Sequence, residues 1–210
     1  MPPGAAAELE NNRLERRWQN LQKTVLSLGP LRLQQQPASQ HSALLMAGET
    51  AVQISTSRLR SRSLLQSWLK HLLAQRDDAG CNTAVVCRQD GSAKADQFHI
   101  AMRWRALKPQ EADHEIRALQ SLAEQGSELC WPVPPESGLA RAMAWSKGEE
   151  AADKAFMNRW QGGFSGWAER DRPEQKICFG SHCDATSLLG FEGFEAAFQA
   201  LYQPLLEARC

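Results

Sequence analysis

Apolar side chains recur every three or four residues along much of this chain, which is the spacing that places them on one face of a helix. The pattern predicts helices over Ala5–Leu26, Ser63–Ala74, Glu111–Glu124, Gly138–Trp145, Glu149–Trp160 and Phe191–Ala208. Gly29 and Pro30 end the first helix, because proline cannot continue the hydrogen-bond ladder of a helix. After that helix, and again before the third, the spacing changes to one typical of strands.

The strand-like segments are short, and turn residues separate them. They are "LRLQQQ" from Leu31, two pieces of "HSALLMAGETAVQIS" that meet at Gly48, the apolar run "TAVVCR", and "QFHIAMRWRAL" after a hairpin-like turn. We therefore predict one α/β domain over residues 1–210, a mixed sheet flanked by helices. Residues 1–29 form its leading helix, residues 30–105 its sheet and helix core, and residues 106–210 a mostly helical half.

The composition is that of an ordinary globular protein. Of the 210 residues, 42% are hydrophobic and 23% are charged, and the 24 basic residues equal the 24 acidic ones. A net charge of zero means that this chain lacks the overall positive charge typical of free-standing nucleic-acid binders. A local basic patch is still compatible with it. No apolar run reaches the length of a membrane-spanning helix, and the N-terminus has no signal-peptide core, so we expect a cytoplasmic protein without membrane contact.

Cysteine spacing does not indicate a metal centre. The six cysteines are Cys81, Cys87, Cys130, Cys178, Cys183 and Cys210. In a reducing compartment they are expected to be thiols rather than disulfides. Cys178 and Cys183 flank His182, but no cysteine pair has the two-residue spacing of a structural zinc site, so inert cysteines are favoured over a metal site.

The stretch "GETAVQISTSRLRSR", from Gly48 to Arg62, runs from two strand-like pieces into a helix. Many metal-dependent nucleases place their catalytic residues on this layout, with carboxylates that hold Mg²⁺ and a lysine that positions or activates water. The relevant positions here offer Glu49 alone, at a turn, and then Gln53 and Ser55. An amide and a hydroxyl cannot supply the negative charge that attracts a divalent ion. We therefore predict no catalytic residue, no metal and no cofactor.

Other catalytic patterns are missing from the sequence. The five histidines include no HExxH arrangement, the serines lack a G-x-S-x-G elbow, and neither a P-loop nor a dinucleotide fingerprint occurs. Asp90, Lys94 and Asp96 lie in the predicted hairpin turn, where such residues are common because they form local hydrogen bonds.

Three arginines form the candidate DNA-binding set. Arg58, Arg60 and Arg62 alternate in what reads as an extended segment, which would point them to one side. Aligned arginines attract phosphates in a salt-dependent manner. The competing interpretation is a solvated edge strand, since edge strands often carry charge.

Tryptophan is frequent, with seven residues in the chain. Trp18, Trp68 and Trp160 occupy apolar positions of predicted helices, so we expect all three in the core. Trp104, Trp131 and Trp167 lie in or beside strands and loops, where an aromatic rim could contact a protein partner.

Several segments together resemble the C-terminal domain of RecC, the gamma subunit of the bacterial helicase–nuclease exodeoxyribonuclease V. The resemblance rests on "PPGAAAELE", "SRLRSRSLLQSWLKHLL", "TAVVCRQDG", and the tail segments "AFMNRWQGGFSGWAERDRPEQKI" and "FEAAFQALYQPLLEA". These pieces follow the order of the family and span most of the chain. The resemblance implies an excised domain or a stand-alone homologue.

The resemblance implies a restriction-endonuclease-like fold, of the PD-(D/E)xK type, that lacks the catalytic residues. An active relative would carry an acidic residue and a lysine on the strand through Gln53 and Ser55, and an Asp near Gly48. Gly48, Glu49, Gln53 and Ser55 are therefore expected to be degenerate nuclease positions.

The resemblance also implies a role as a non-catalytic scaffold in a RecBCD-type complex, in double-strand break repair by homologous recombination. Its implied partners are RecB- and RecD-like subunits, with DNA at the unwinding junction as a further contact within the complex. Two alternatives stay open. One is an active exonuclease with a displaced metal site at Glu49 and Glu115, and the other is a structural interaction module without DNA affinity.

Overall fold

The computed structural model describes residues 4–36, 39–89, 91, 94, 96–162 and 168–210. Its helices are α1 (Ala5–Leu26), α2 (Ser61–Arg76), α3 (Pro109–Glu128), α4 (Pro135–Ala144), α5 (Glu149–Gln161), α6 (Pro173–Phe179), α7 (Ala185–Leu189) and α8 (Phe194–Glu207). Its strands are β1 (Leu31–Gln36), β2 (Ser39–Ala47), β3 (Thr50–Arg58), β4 (Asn82–Arg88) and β5 (Phe98–Trp104). Across these described residues, no helix has the length and apolar character needed to cross a membrane.

The predicted elements are confirmed in kind, and their bounds differ where tertiary contacts act. α1 spans Ala5–Leu26 as predicted. α2 begins at Ser61, earlier than the predicted Ser63, because the carboxylate of Glu136 accepts hydrogen bonds from the N–H and the hydroxyl of Ser61, at 3.2 and 2.9 Å. α6 and α7 are short helices that the apolar spacing does not predict, because each has too few turns to repeat a pattern.

The chain divides into two compact units. Unit 1 consists of residues 1–59, 66–113 and 208–210, and unit 2 consists of residues 60–65 and 114–207. The α/β fold class is confirmed, since the mixed sheet lies in unit 1 and the described part of unit 2 is helical or irregular. The description of residues 1–210 as one domain stays a prediction.

The sheet of unit 1 has the strand order β1-β2-β3-β4-β5. β1 and β2, β2 and β3, and β4 and β5 are antiparallel pairs, whereas β3 and β4 are parallel. A parallel pair needs a crossover connection, which here contains α2. The end of the chain extends the β5 edge, because the N–H of Arg105 donates to the carbonyl of Ala208 at 2.9 Å and Trp104 forms a bridge with Arg209.

The core of unit 1 has a cluster beneath α1. Leu21 and Val25 of α1 pack in this cluster with Val52, Val86 and Phe98 of the sheet. Phe98 and Ile100 of β5 both pack in the cluster and lie two residues apart, as expected of a strand that turns one set of side chains towards α1 and the other set away from it. The cluster fixes the C-terminal half of α1 on the sheet.

The tryptophans of unit 1 divide differently from the prediction. Trp68 is buried as predicted, and its ring centroid lies 5.1 Å from that of Trp104. Trp104 is fully buried, so its prediction as part of an exposed rim is wrong, because the alternation of β5 turns it into the core. Trp18 is 59% exposed, and its prediction as a core residue is wrong: the apolar stripe of α1 is buried only at Leu21 and Val25. Of the tryptophans after α3, Trp160 is fully buried as predicted, Trp131 is partly buried, and Trp167 lies outside the described residues.

Unit 2 has an aromatic core. Phe156 meets Phe194 edge to face, with ring centroids 5.3 Å apart. Gly138 of α4 allows Tyr202 of α8 to approach closely, since a Cβ at this glycine would lie 2.9 Å from the ring of Tyr202. The hydroxyl of Tyr202 donates to the carbonyl of Pro135 at 3.0 Å. The missing side chain therefore sets the spacing between α4 and α8.

Candidate functional site

Gly48 occupies the turn between β2 and β3, where an active relative is expected to carry an Asp. Its φ of 59° lies in the left-handed region, and its N–H donates to the carbonyl of Pro30 at 3.0 Å. A Cβ at Gly48 would lie 2.9 Å from the carbonyl oxygen of Leu28, and a Cβ at Gly29 would lie 2.7 Å from the nitrogen of Gly48. Backbone therefore packs directly on backbone at this turn, and the position has no room for a carboxylate side chain.

Glu49 follows in the same turn and is the only carboxylate among the four residues predicted to be degenerate nuclease positions. Its side chain is 92% exposed and lies 3.3 Å from the guanidinium of Arg32. An ion pair this exposed contributes little to stability and is screened by salt. Glu49 therefore points to solvent, with an arginine as its neighbour.

Gln53 and Ser55 lie on β3, as expected. The side-chain amide of Gln53 donates to the main-chain carbonyl of Ser67 in α2, at 3.0 Å. The hydroxyl of Ser55 shares a hydrogen bond of 2.9 Å with that of Ser57. Both side chains thus make contacts within unit 1, and the contact of Gln53 ties the strand to the helix.

A cleft lies between β2, β3 and α2, and we call it the β2–β3 cleft. It has a volume of about 630 Å³. Its lining comprises Ala43, Leu44 and Leu45 of β2, Ala51 to Ile54 of β3, Thr83 of β4, and Ser67, Lys70, His71, Leu73, Ala74, Arg76 and Asp77 of α2 and the turn after it. The cleft thus combines apolar strand positions with two exposed cations of the helix, Lys70 and Arg76.

His71 lies at the inner wall of this cleft and is fully buried. One ring nitrogen, Nδ1, shares a hydrogen bond of 2.8 Å with the hydroxyl of Thr83, and the ring stacks on Trp68 with centroids 5.3 Å apart. Burial lowers the pKa of His71 to about 4, although the backbone of Arg105 acts in the opposite direction. The imidazole is therefore neutral at physiological pH and adds no charge to the cleft.

The candidate DNA-binding arginines do not share one extended segment. Arg58 is the last residue of β3, Arg60 lies between the elements, and Arg62 belongs to the first turn of α2. The prediction that all three alternate along a strand is therefore wrong, because the helix begins at Ser61. The guanidinium of Arg60 lies 3.9 Å from the carboxylate of Glu136. DNA binding by these residues stays a prediction.

Glu115, the second carboxylate of the displaced metal site, lies on α3 and in unit 2, whereas Glu49 lies in unit 1. Burial raises the pKa of the Glu115 carboxyl, an electrostatic contribution from the neighbouring His114 opposes this shift, and Glu207 adds to it. Among the residues that the structure describes, no group of three or more His, Cys, Asp or Glu side chains is placed to hold a metal ion. The displaced site stays a prediction.

Asp96 and Cys178 each have a nearby hydrogen-bonding partner that explains the shift in pKa. Arg17 donates to the carboxylate of Asp96 at 2.7 Å, and this hydrogen bond lowers the pKa of Asp96. The thiol of Cys178 hydrogen-bonds with that of Cys130, which raises the pKa of Cys178. Neither cysteine forms a disulfide.

Two buried carboxylates of unit 2 have roles that the sequence does not reveal. Glu169 accepts hydrogen bonds from the N–H groups of Glu136 and Ser137, at 2.9 and 2.6 Å, and so caps α4 from a distant part of the chain. Glu136 in turn caps α2 at Ser61. A cap normally lies next to its helix in sequence, so residues this distant leave no local pattern to detect.

Comparison with known proteins identifies one family. A family model described as RecC C-terminal domain matches residues 1–146, well over half of the chain. This match covers the whole sheet and excludes the tail segments "AFMNRWQGGFSGWAERDRPEQKI" and "FEAAFQALYQPLLEA". No curated protein matches the chain.

Proposed function

The chain belongs to the RecC C-terminal domain family, and we propose that it is a non-catalytic scaffold domain of an exodeoxyribonuclease V complex of the RecBCD type. In this role it serves double-strand break repair by homologous recombination. It contacts RecB- and RecD-like subunits, and it meets DNA at the unwinding junction only within the assembled complex. The domain carries out this role in the cytoplasm.

The proposal includes a restriction-endonuclease-like fold whose catalytic positions have taken structural roles. The hydrogen bond from the Gln53 amide to the Ser67 carbonyl is the observation that carries it. A carboxylate at position 53 would place an acceptor against that carbonyl, whereas the amide stabilises the contact between strand and helix. Gly48 supports the same interpretation, because its backbone packing leaves no room for an Asp.

Exposed apolar side chains of unit 1 support a role in protein contacts. Trp18 is 59% exposed and Leu33 is 75% exposed, and Leu9 and Leu14 of α1 are exposed as well. Soluble proteins seldom expose several large apolar side chains on one element unless a partner covers them. A scaffold that binds other subunits has such surfaces.

Co-purification tests the proposal. The 210-residue chain is expressed with the RecB- and RecD-like subunits of the same genome. We expect co-elution on size exclusion, and we expect Trp18→Ala to weaken it. Leu129→Ala is the matched control, because Leu129 is an exposed apolar residue of unit 2. Elution of the chain apart from both subunits would contradict the scaffold role.

Incubation of the chain alone with linear DNA and Mg²⁺ or Mn²⁺ tests the lack of catalysis. We expect no cleavage. Cleavage that requires the metal and disappears in Glu49→Gln or Glu115→Gln would favour the displaced exonuclease site instead.

A further inference from the structure

β2 and β3 separate soon after the turn that joins them. Their pairing is limited to Met46 with Ala51 and Ala47 with Thr50. β2 nevertheless stays paired with β1 from Ala47 to Ala43 and, after an irregularity, at Ser39, and β3 stays paired with β4 from Thr50 to Ile54. In the part of the chain that the structure describes, β3 beyond Ala51 therefore has a strand neighbour on its β4 side only.

The edge of β3 faces the β2–β3 cleft, since Val52, Gln53 and Ile54 line it. A strand with unpaired N–H and C=O groups on one side is a template for another extended chain. Peptides bind such edges by adding a strand, with main-chain hydrogen bonds for affinity and side-chain pockets for specificity. The cleft provides both an edge and a lined space.

The walls of the cleft define the chemistry of its occupant. Leu45 of β2 is partly exposed and Ile54 of β3 is 41% exposed, and both lie on the face of the sheet that carries Val52, so alternate apolar side chains would find contacts there. Lys70 and Arg76 are exposed on α2, and Asp77 is the one carboxylate in the described lining, 3.4 Å from Arg76. The excess of positive charge favours acidic side chains on the ligand.

The same walls disfavour single-stranded nucleic acid. Proteins that bind single strands without sequence preference stack the bases on exposed aromatic rings. The described lining contains no Phe, Trp or Tyr, and His71 is fully buried. A polypeptide with apolar and acidic side chains fits the cleft better than a strand of DNA.

We propose that the β2–β3 cleft binds an extended acidic peptide segment of a protein partner, which adds as a strand to the free edge of β3. The apolar side chains of the segment pack on Leu45 and Ile54 on one face, and its carboxylates pair with Lys70 and Arg76 of α2 on the other. This inference rests on the proposed scaffold role for its biological setting, and it names the chemistry of one contact that the scaffold makes.

A synthetic peptide of about seven residues, with alternating Val and Glu, acetylated, amidated and fluorescently labelled, tests the proposal with the full 210-residue chain. Fluorescence polarisation at low salt is expected to show binding. The double variant Lys70→Glu, Arg76→Glu is expected to bind about tenfold more weakly. The matched control is Arg16→Glu, Lys23→Glu, which makes the same charge change at exposed positions of α1 and is expected to bind normally. Circular dichroism verifies that both variants are folded.

Two peptides N-methylated on alternate residues test the strand geometry. Alternate N–H groups of a strand point to the same side, and the Val and Glu alternation fixes the frame, so one methylated peptide is expected to lose binding and the other to keep it. Retention of binding by both would contradict strand addition. Equal binding of a Val and Lys peptide would contradict the acidic specificity.

An oligothymidine of similar length supplies the competing outcome. Tighter binding of this strand, with the same dependence on Lys70 and Arg76, would overturn the peptide proposal in favour of a phosphate ligand. Absence of peptide binding together with retained co-elution of the subunits would remove the cleft contact and keep the scaffold role. Peptide binding without co-elution of the subunits would remove the scaffold role and keep the cleft as a peptide-binding site.

Discussion

The amide of Gln53 donates to the main-chain carbonyl of Ser67 at 3.0 Å, so a side chain of β3 is tied to the backbone of α2. This contact lies where an active relative is expected to carry a carboxylate. It shows what the amide does in this protein: it satisfies a carbonyl of the helix and fixes the helix against the strand. The same position cannot easily serve a metal ion and this contact.

Replacement of Gln53 tests that role. We expect Gln53→Ala to lower the free energy of unfolding by about 1 kcal/mol, because one hydrogen bond is removed. Gln53→Glu is expected to cost more, about 2 kcal/mol, because a carboxylate then faces a carbonyl oxygen. Urea denaturation measures both, with Thr56→Val, at an exposed position of the same strand, as the control. Equal stability of Gln53→Glu and the unchanged chain would show that the contact is unimportant.

Gly48→Asp, which introduces the acidic residue of an active relative, is expected to destabilise the chain by about 2 kcal/mol. The φ of 59° is unfavourable for a side chain, and the Cβ would lie 2.9 Å from the carbonyl of Leu28. Gly91→Asp is the control, since Gly91 has a φ of 94° with nothing within 4 Å of its Cβ position. Thermal unfolding compares the two variants, and a similar loss in both would attribute the effect to φ alone.

Gly138→Ala is expected to destabilise unit 2 by about 2 kcal/mol. The new methyl group would lie 2.6 Å from a methyl carbon of Val133 and 2.9 Å from the ring of Tyr202, so α4 and α8 must move apart. Gly126→Ala provides the opposite expectation. Nothing lies within 4 Å of its Cβ position in α3, and alanine favours a helix by about 0.5–1 kcal/mol over glycine. Denaturant unfolding measures the stability of both variants. If both were more stable than the unchanged chain, the close packing at Gly138 would be contradicted.

Stability is expected to decline as the pH falls, because of His71. Its pKa is about 4 in the folded chain and 6.5 without perturbation, so the unfolded chain binds the proton more readily. This contribution is complete above about pH 6.5, declines as the pH falls, and is lost near pH 4, with an upper bound of about 3 kcal/mol. Urea unfolding from pH 7.5 down to about pH 4.5 measures it.

Two variants assign the pH dependence of stability to one histidine. His71→Phe is expected to flatten it over this range, because no imidazole remains to be protonated. His182→Gln, at an exposed position, is expected to leave it unchanged. A profile that stays steep in His71→Phe would assign the effect to another group.

Salt titration tests DNA binding by Arg58, Arg60 and Arg62. If these arginines bind phosphates, the triple alanine variant is expected to bind duplex DNA more weakly, with a salt slope reduced by about 0.9 for each phosphate that is no longer neutralised. The matched control replaces Arg16, Lys23 and Lys108, which are three exposed basic residues of unit 1 outside this segment. If the unchanged chain showed no salt-dependent binding to DNA, the result would favour the alternative of a structural interaction module without DNA affinity.

The sequence by itself determined the elements and the family. The spacing of Leu21 and Val25 predicts the buried face of α1, and alternation predicts the strands, because local geometry puts each repeat on one face. The sequence also shows that positions 48, 53 and 55 carry no carboxylate, because Gly48, Gln53 and Ser55 are uncharged residue types. The family match over residues 1–146 agrees with the resemblance carried by "SRLRSRSLLQSWLKHLL" and "TAVVCRQDG".

Tertiary structure alone decided which members of each pattern are buried and what they contact. Trp18 and Trp68 occupy similar helical positions, yet one is 59% exposed and the other 1%, because burial depends on whether another element covers the residue. The caps supplied by Glu136 and Glu169 join residues far apart in sequence, and the divergence of β2 from β3 depends on what each strand packs against rather than on the turn between them. Local periodicity carries no information about such contacts, because the folded packing of distant segments creates them.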